Sequence, residues 1–368
     1  MSALRFQCVA HEGAARRGLL RLPGGLVETP AFMPVATYGA VRGVGFEDLG
    51  AVGAQLLLAN TFHLHERPGE TIVAQAGGLR GFTGWRGPWL TDSGGYQVTS
   101  MADRVRLDES GVTFSSPVDG RRRELTPEGA IRIQEALGAD IAMALDQVVP
   151  IRADGAGEIA AAMERSLRWA ERCQRARTRA DQAVFGIVQG GDDPALRRAS
   201  AAGTASLGFD GHAHGGLGLG EERSCRRTMI AEAHQALPPA LPRYLMGLGR
   251  PEDLVDAIAE GIDLFDCVVP TRHARHGLVF TSEGALNLKN ARFRDDFGPI
   301  DPACDCPVCA RHHRAYVRHL FAVGERLGPR LTSLHNLRYT LRLMQRARAA
   351  ISAGTFASLH REITDLAR

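Results

Sequence analysis

The 368-residue chain has one lysine, Lys289, so its 44 basic residues are otherwise arginine, and 41 acidic residues leave a formal charge of only +3. That balance excludes a polycation that grips nucleic acid by bulk charge, so any such contact must be local. Arginine suits phosphate through its planar fork. Two local clusters stand out, Arg121-Arg122-Arg123 and Arg272-His273-Ala-Arg275-His276. The first reads as solvated surface, whereas the second directly follows an apolar strand and reads as a functional loop. No apolar run approaches the roughly 18 residues that span a bilayer. The N-terminal Met1-Ser-Ala-Leu-Arg-Phe-Gln lacks the apolar core of a signal peptide. A soluble, cytoplasmic and reducing setting is therefore expected, with no membrane partner.

Cysteine is also scarce. Of seven, Cys8, Cys173, Cys225 and Cys267 are scattered singly, while Cys304-Asp-Cys306-Pro-Val-Cys309 packs three into six residues. In a reducing compartment this cluster favours metal over disulfides, and three thiolates call for one histidine to complete tetrahedral zinc. His312, His313 and His319 lie nearby, and His335 sits further on among Leu331, Leu334, Leu337, Leu341 and Met344 at helical spacing. Spacing alone does not choose among them.

Short apolar runs alternate with longer helical patterns, the mark of βαβ units and a parallel sheet. Strands are expected at 55–59, 89–91, 140–145, 183–188, 243–246 and 263–265. Thr126-Pro127-Glu128 reads as a helix start, with Ala130, Ile133 and Leu137 inward and Gly138 as the stop. Ile159, Met163, Leu167 and Ala170 mark a second helix, and Pro251 to Glu260 a third that ends at Gly261. The pattern fits a (β/α)₈ TIM barrel of roughly 250 residues with an added module. No Gly-x-Gly-x-x-Gly follows the first strand, which argues against a doubly wound open sheet. The expected organisation is a barrel with N-terminal strands over 1–286, a zinc-binding subdomain over 287–345 and a C-terminal helix over 346–368 that packs back on the barrel.

In a barrel, catalytic groups gather at the C-terminal strand ends. Here those ends supply Asn60, Asp92, Asp146, Gln189, the Gly215-Gly216 pair, Met246 and Asp266. Any single Asp there is as readily a helix cap, but three converging on one mouth imply a shared site. The glycines after Asp92 let backbone approach a ligand, and Tyr96 is placed to lie against a flat one. Asp92 and Asp266 together suit chemistry at a sugar anomeric carbon. Cys267, on the other side of its strand, reads as core.

These residues fall in motifs that resemble the tRNA-guanine transglycosylases, the queuine tRNA-ribosyltransferase family, in its bacterial-length form. The motifs are Thr91-Asp-Ser-Gly-Gly-Tyr-Gln-Val, Phe185-Gly-Ile-Val-Gln-Gly-Gly, His214-Gly-Gly-Leu, Tyr244-Leu-Met-Gly-Leu-Gly, Phe265-Asp-Cys-Val-Val-Pro-Thr-Arg and, after the cysteines, His335-Asn-Leu-Arg. The resemblance implies exchange of a guanine in tRNA for a deazaguanine. It implies Asp266 as nucleophile and Asp92 as general acid and base. It further implies Asp146, Gln189, Gly216 and Leu217 around the base, with Tyr96 and Met246 on its two faces. Arg272 and Arg275 correspond to the loop that grips the anticodon stem-loop. His335 becomes the fourth ligand of one structural zinc per subunit, and a homodimer is expected.

The sequence departs from the family in places. Val148 and Phe297-Gly-Pro-Ile resemble the enzymes that insert queuine itself, whereas Leu219 stands where those enzymes have glycine. A leucine there crowds queuine's cyclopentenediol, which favours 7-aminomethyl-7-deazaguanine as the incoming base. His273 and His276 replace asparagines common in bacterial members. Two rival readings carry their own signals. A metal-dependent hydrolase would use the His63-Leu-His65 and His212-Ala-His214 pairs. A non-catalytic tRNA-binding subunit would lack Asp92 and Asp266, and this chain has both.

Overall fold

The computed structural model describes residues 3–101, 103–151 and 156–367. Eight strands form one parallel sheet: β1 (Ala31–Pro34), β2 (Leu57–Ala59), β3 (Trp89–Thr91), β4 (Ile141–Met143), β5 (Ala183–Val188), β6 (Gly211–His214), β7 (Arg243–Leu245) and β8 (Leu264–Cys267). Each pairs with its sequence neighbour, β8 pairs with β1, and a Val35–Leu58 bridge joins β1 to β2. The sheet thus curls into the expected TIM barrel. All six expected strands are present, with ends that differ from expectation by two residues at most. β1 and β6 lie outside the expected set; in β6 two histidines interrupt the apolar run.

The two-residue period of a strand sorts the side chains. Met33, Leu58, Leu90, Met143, Phe185, Ile187, Ala213, Tyr244 and Leu264 fill the barrel interior as one cluster. Phe32, Leu57, Trp89, Ala142, Val184, Leu245 and Phe265 alternate with them and face the helices. Fully burying an aliphatic or aromatic side chain stabilises by about 1.5–3 kcal/mol, so the interior layer alone fixes strand register strongly. A slip of one residue would send every interior side chain outward.

Helices cover the barrel. Thr126 caps the Pro127–Leu137 helix by accepting from the Gly129 N–H, and Gly138 ends it with φ of +73°. The other two expected helices span Ala156–Ala176 and Pro251–Ala259. A three-stranded antiparallel sheet over Arg5–Thr29 lies at the N-terminal end of the barrel. Its anchor is Arg16, whose guanidinium pairs with the fully buried Asp263 beneath β8 and donates to the Pro239 and Leu241 carbonyls. A second antiparallel sheet, Asp103–Leu125, is inserted between β3 and β4. In it Arg121 and Arg122 are exposed, as expected of solvated surface, while Arg123 turns to pair with Glu66.

The hairpin Leu278–Asn287 and helices Arg314–Ala322 and Leu327–Ala353 follow β8. The last of these buries Leu331, Leu334, Leu337, Leu341 and Met344 on one face. It runs unbroken through 345, the expected end of the metal subdomain, and reaches β1 and the N-terminal sheet. The Phe356–Asp365 helix packs against it and against the Pro251–Ala259 helix.

Candidate active site and metal centre

Strand parity sets out the mouth. Residues two beyond interior positions also point inward, which carries Asn60 after Leu58, Asp92 after Leu90, Gln189 after Ile187, Met246 after Tyr244 and Asp266 after Leu264. Cys267, one residue on from Asp266, is buried on the outer side.

Asp92 is almost wholly buried and held on both oxygens. Its Oδ1 accepts from the Thr61 N–H at 2.9 Å; its Oδ2 accepts from Gln97 Nε2 at 3.0 Å and from Asn60 Nδ2. Burial lifts its pKa to about 7, helped by the negative charges of Asp266 and Asp146 and opposed by the Thr61 and Gly94 N–H groups. A carboxyl poised there carries or releases a proton near neutrality. Asp266 keeps partial exposure, and its Oδ1 accepts from the Tyr244 hydroxyl at 2.6 Å and the Gly247 N–H at 2.8 Å. Burial raises its pKa, while those two donors hold it down. Tyr244, buried and beside that charge, titrates well above 10 and stays a donor.

Asp146 accepts from Ser93 Oγ at 3.2 Å and from Gln189 Nε2 at 2.5 Å. Burial lifts it to about 6 against those hydrogen bonds. The Gln189 amide lies across Gly215 and Gly216, where an added Cβ would come within 2.5 Å of it, and Gly216 has φ of +66°. Only glycine fits this turn. Leu217 is buried beside it. Tyr96 stands half exposed on the Gly95–Met101 helix, and Met246 packs against the interior cluster.

Tyr244, Gln97, Ser93 and Thr61 are site residues that sequence reasoning does not single out. Tyr244, Gln97 and Ser93 lie in motifs already quoted, and Thr61 follows the strand-end residue Asn60. For Tyr244 a signal exists: a phenol on the interior side of a strand needs a partner, and Asp266 is the nearest polar strand end.

On the helix Val269–Arg275, Arg272 is exposed and Arg275 half-buried. Neither forms an ion pair among the described residues, and burial together with Arg42 and Arg272 lowers the Arg275 pKa. Cations left together without carboxylates form an anion-seeking face.

The four groups of the metal centre, Cys304, Cys306, Cys309 and His335, lie with their ligand atoms within 4.8 Å of one another. That compactness fits a tetrahedral zinc with bonds of about 2.0–2.3 Å. His335 Nδ1 faces the sulfurs, 3.3 Å from Cys309 Sγ, and its Nε2 meets the Phe280 carbonyl at 2.7 Å. The second contact fixes the ring tautomer that leaves Nδ1 free for metal. His312, His313 and His319 are not in the cluster, which is closed and structural in type. The His-x-His pairs do not form a second one among the described residues. His63 and His65 lie on the helix Thr61–Glu66, where a separation of two points them apart; they bond Asn60 and Glu70 respectively. His212 and His214 face away from the mouth, His214 against His234.

A family model described as queuine tRNA-ribosyltransferase matches residues 10–367. A relative from Thermus thermophilus with that name is 52% identical over 362 residues, 98% of this chain and 94% of the relative. One from Xanthomonas campestris pv. campestris, of the same name, is 51% identical over 365 residues, 98% of this chain and 95% of the relative. Among the described residues, no helix is long and apolar enough to cross a membrane.

Proposed function

Because the chain belongs to the queuine tRNA-ribosyltransferase family and is a pentosyltransferase, we propose that it replaces the wobble guanine of tRNAs with G-U-N anticodons, those for Asp, Asn, His and Tyr, by a 7-deazaguanine in queuosine biosynthesis. The observation that carries this reading is the pairing of a tethered carboxylate, Asp266, with a second carboxyl, Asp92, buried at the same mouth and titrating at about 7. Asp266 attacks the ribose C1′, the bond to guanine breaks, and the departing base takes a proton from Asp92. The incoming base then returns a proton to Asp92 and displaces Asp266 from C1′. Two inversions retain configuration.

Base recognition follows from the remaining groups. The Asp146 carboxylate accepts the N1–H and 2-amino donors of guanine; in the free site Gln189 Nε2 donates to it in their place. With a base bound, that amide turns to the exocyclic oxygen together with the Gly216 N–H. Leu217 walls the edge, and Tyr96 and Met246 cover the two faces of the extruded base. Arg272 and Arg275 take the phosphates of the anticodon stem-loop, whose binding depends on salt accordingly. Zinc, when bound, holds the tRNA-facing module together, and a homodimer is the working assembly.

Leu219 and Val148 both stand half-buried beyond their strand ends and favour different bases. The bulk of Leu219 favours 7-aminomethyl-7-deazaguanine; Val148 favours queuine. Release of labelled guanine from tRNA in competition between the two bases tests this. The aminomethyl base is expected to exchange with the higher kcat/KM. Preference for queuine would overturn the assignment of the incoming base, and no exchange with either would overturn the activity.

A further inference from the structure

The proposed site reads the exocyclic oxygen of the base through Gln189 and a backbone N–H. A fully buried cation lies behind both. Arg197, on the helix Pro194–Ser206, has no exposed surface and forms no ion pair among the described residues. Its guanidinium donates instead to three carbonyls: Gly191 at 2.8 Å, Gly215 at 2.9 Å and Val188 at 3.1 Å.

Two of those carbonyls belong to peptides that matter. The Gly215 carbonyl and the Gly216 N–H share one planar trans peptide, so fixing the oxygen toward Arg197 fixes the N–H in the opposite direction. The Val188 carbonyl likewise shares a peptide with the Gln189 N–H. That unit is held at both ends, the oxygen also by the Gly215 N–H at 3.0 Å and the N–H by Ser200 Oγ at 2.9 Å. A glycine-rich turn has many conformations open to it, and nothing in its own side chains restricts it. Its first residue is held by Arg197 on the Gly215 carbonyl and by the Gly215 N–H bond to Val188, while the Glu221 carboxylate holds the Gly218 and Leu219 N–H groups further on. A cation on a peptide oxygen also polarises the unit and strengthens its N–H as a donor.

We propose that Arg197 is a specificity-positioning residue, which orients and polarises the Gly216 N–H and sets Gln189 to read the exocyclic oxygen of the purine. This rests on the base-exchange reading above. Lysine cannot replace it, because a single ammonium cannot span three carbonyls held by a planar fork.

The test uses Arg197→Met and Arg197→Lys in the full-length zinc-loaded protein, with Gln189→Met as a control. Three quantities are measured: KM for guanine in exchange, the inhibition constant of 2-aminopurine (which keeps the 2-amino group and lacks the exocyclic oxygen) and melting temperature. Both Arg197 variants are expected to raise the guanine KM by about tenfold or more while leaving 2-aminopurine inhibition nearly unchanged. Arg197→Lys, which keeps the buried charge, provides this readout if the methionine variant does not fold. A variant that melts lower with the guanine to 2-aminopurine ratio intact would overturn the proposal and leave Arg197 as core. If Gln189→Met also left that ratio intact, the base-edge reading itself would fail, which separates the two outcomes.

Discussion

The Tyr244 hydroxyl and the Gly247 N–H both donate to Oδ1 of Asp266, at 2.6 and 2.8 Å, and Oδ2 accepts no hydrogen bond among the described residues. One oxygen is tethered and the other is left for the attack proposed above. Tyr244 reaches it from the neighbouring strand β7, one interior layer below, and Gly247 from the turn just after that strand, so the carboxylate is aimed by its neighbour rather than by its own loop.

Tyr244→Phe keeps the ring and removes the donor. A hydrogen bond to a charged group contributes about 1.5–3 kcal/mol, so kcat is expected to fall by about ten- to a hundredfold. The donor favours the anion; without it the Asp266 pKa rises further, and the acid limb of the pH–rate profile moves to higher pH. A profile that fell uniformly without this movement would reduce Tyr244 to packing.

In the proposed mechanism Asp92 holds the proton that guanine takes on departure, so the alkaline limb is assigned to Asp92. With its pKa at about 7, activity is expected to decline above neutrality. Gln97 Nε2 donates to Asp92 Oδ2 at 3.0 Å and so favours the anion. Gln97→Leu should therefore move the alkaline limb upward, measured as kcat/KM against pH.

The same burial sets a stability trend in the free protein. Asp92 and Asp146 titrate at about 7 and about 6 when folded, above their unfolded values near 4. Groups raised on folding contribute stability that is fully present below the unfolded pKa and lost as pH rises through the folded one. Melting temperature is expected to fall between pH 5 and pH 8 through these two carboxyls. Asp92→Asn removes the charge; it should melt higher than the parent at pH 8, lose that advantage at pH 5 and lack exchange activity. A pH-independent difference between the two proteins would contradict the assignment.

Most of the barrel is legible in the sequence because interior strands such as Ala183–Val188 are continuous apolar runs with clear ends. Gly211–His214 is not, since its two histidines face a helix layer that only the closed barrel creates. The site's carboxylates can be read at the strand ends, and the cysteines by their spacing. What escapes is reach across elements. Tyr244 meets Asp266 from the next strand, and Arg197 meets Gly215 from a helix eighteen positions earlier. Arg197 leaves no local pattern, and the one signal for Tyr244 is its interior parity on the strand beside Asp266. Likewise, three nearer histidines compete with His335 in sequence, and only the long helix over Leu327–Ala353 brings His335 beneath the cysteines.

Metal removal separates structure from chemistry. His335→Ala, or chelation, should release about one zinc per chain. tRNA affinity and melting temperature should fall first, because the closed cluster holds the module and has no position for substrate. A chelated protein that kept its melting temperature and lost only turnover would place the metal in the reaction instead.

Leu219→Gly removes the side chain that, in the proposed reading, crowds a larger base. Queuine use is expected to rise by at least roughly ten- to two-hundredfold in kcat/KM, the range for a single methylene in a pocket. No gain would mean that the pocket is shaped elsewhere, with Val148 the next position to vary.

The central claim is covalent attack by Asp266, and the direct measurement is the adduct between protein and a G-U-N tRNA, resolved by denaturing electrophoresis. The parent protein should show a slower band that forms with tRNA and is chased by added guanine. Asp266→Asn, folded and zinc-loaded, should show no band and no exchange. A band of normal intensity from that variant would contradict the account.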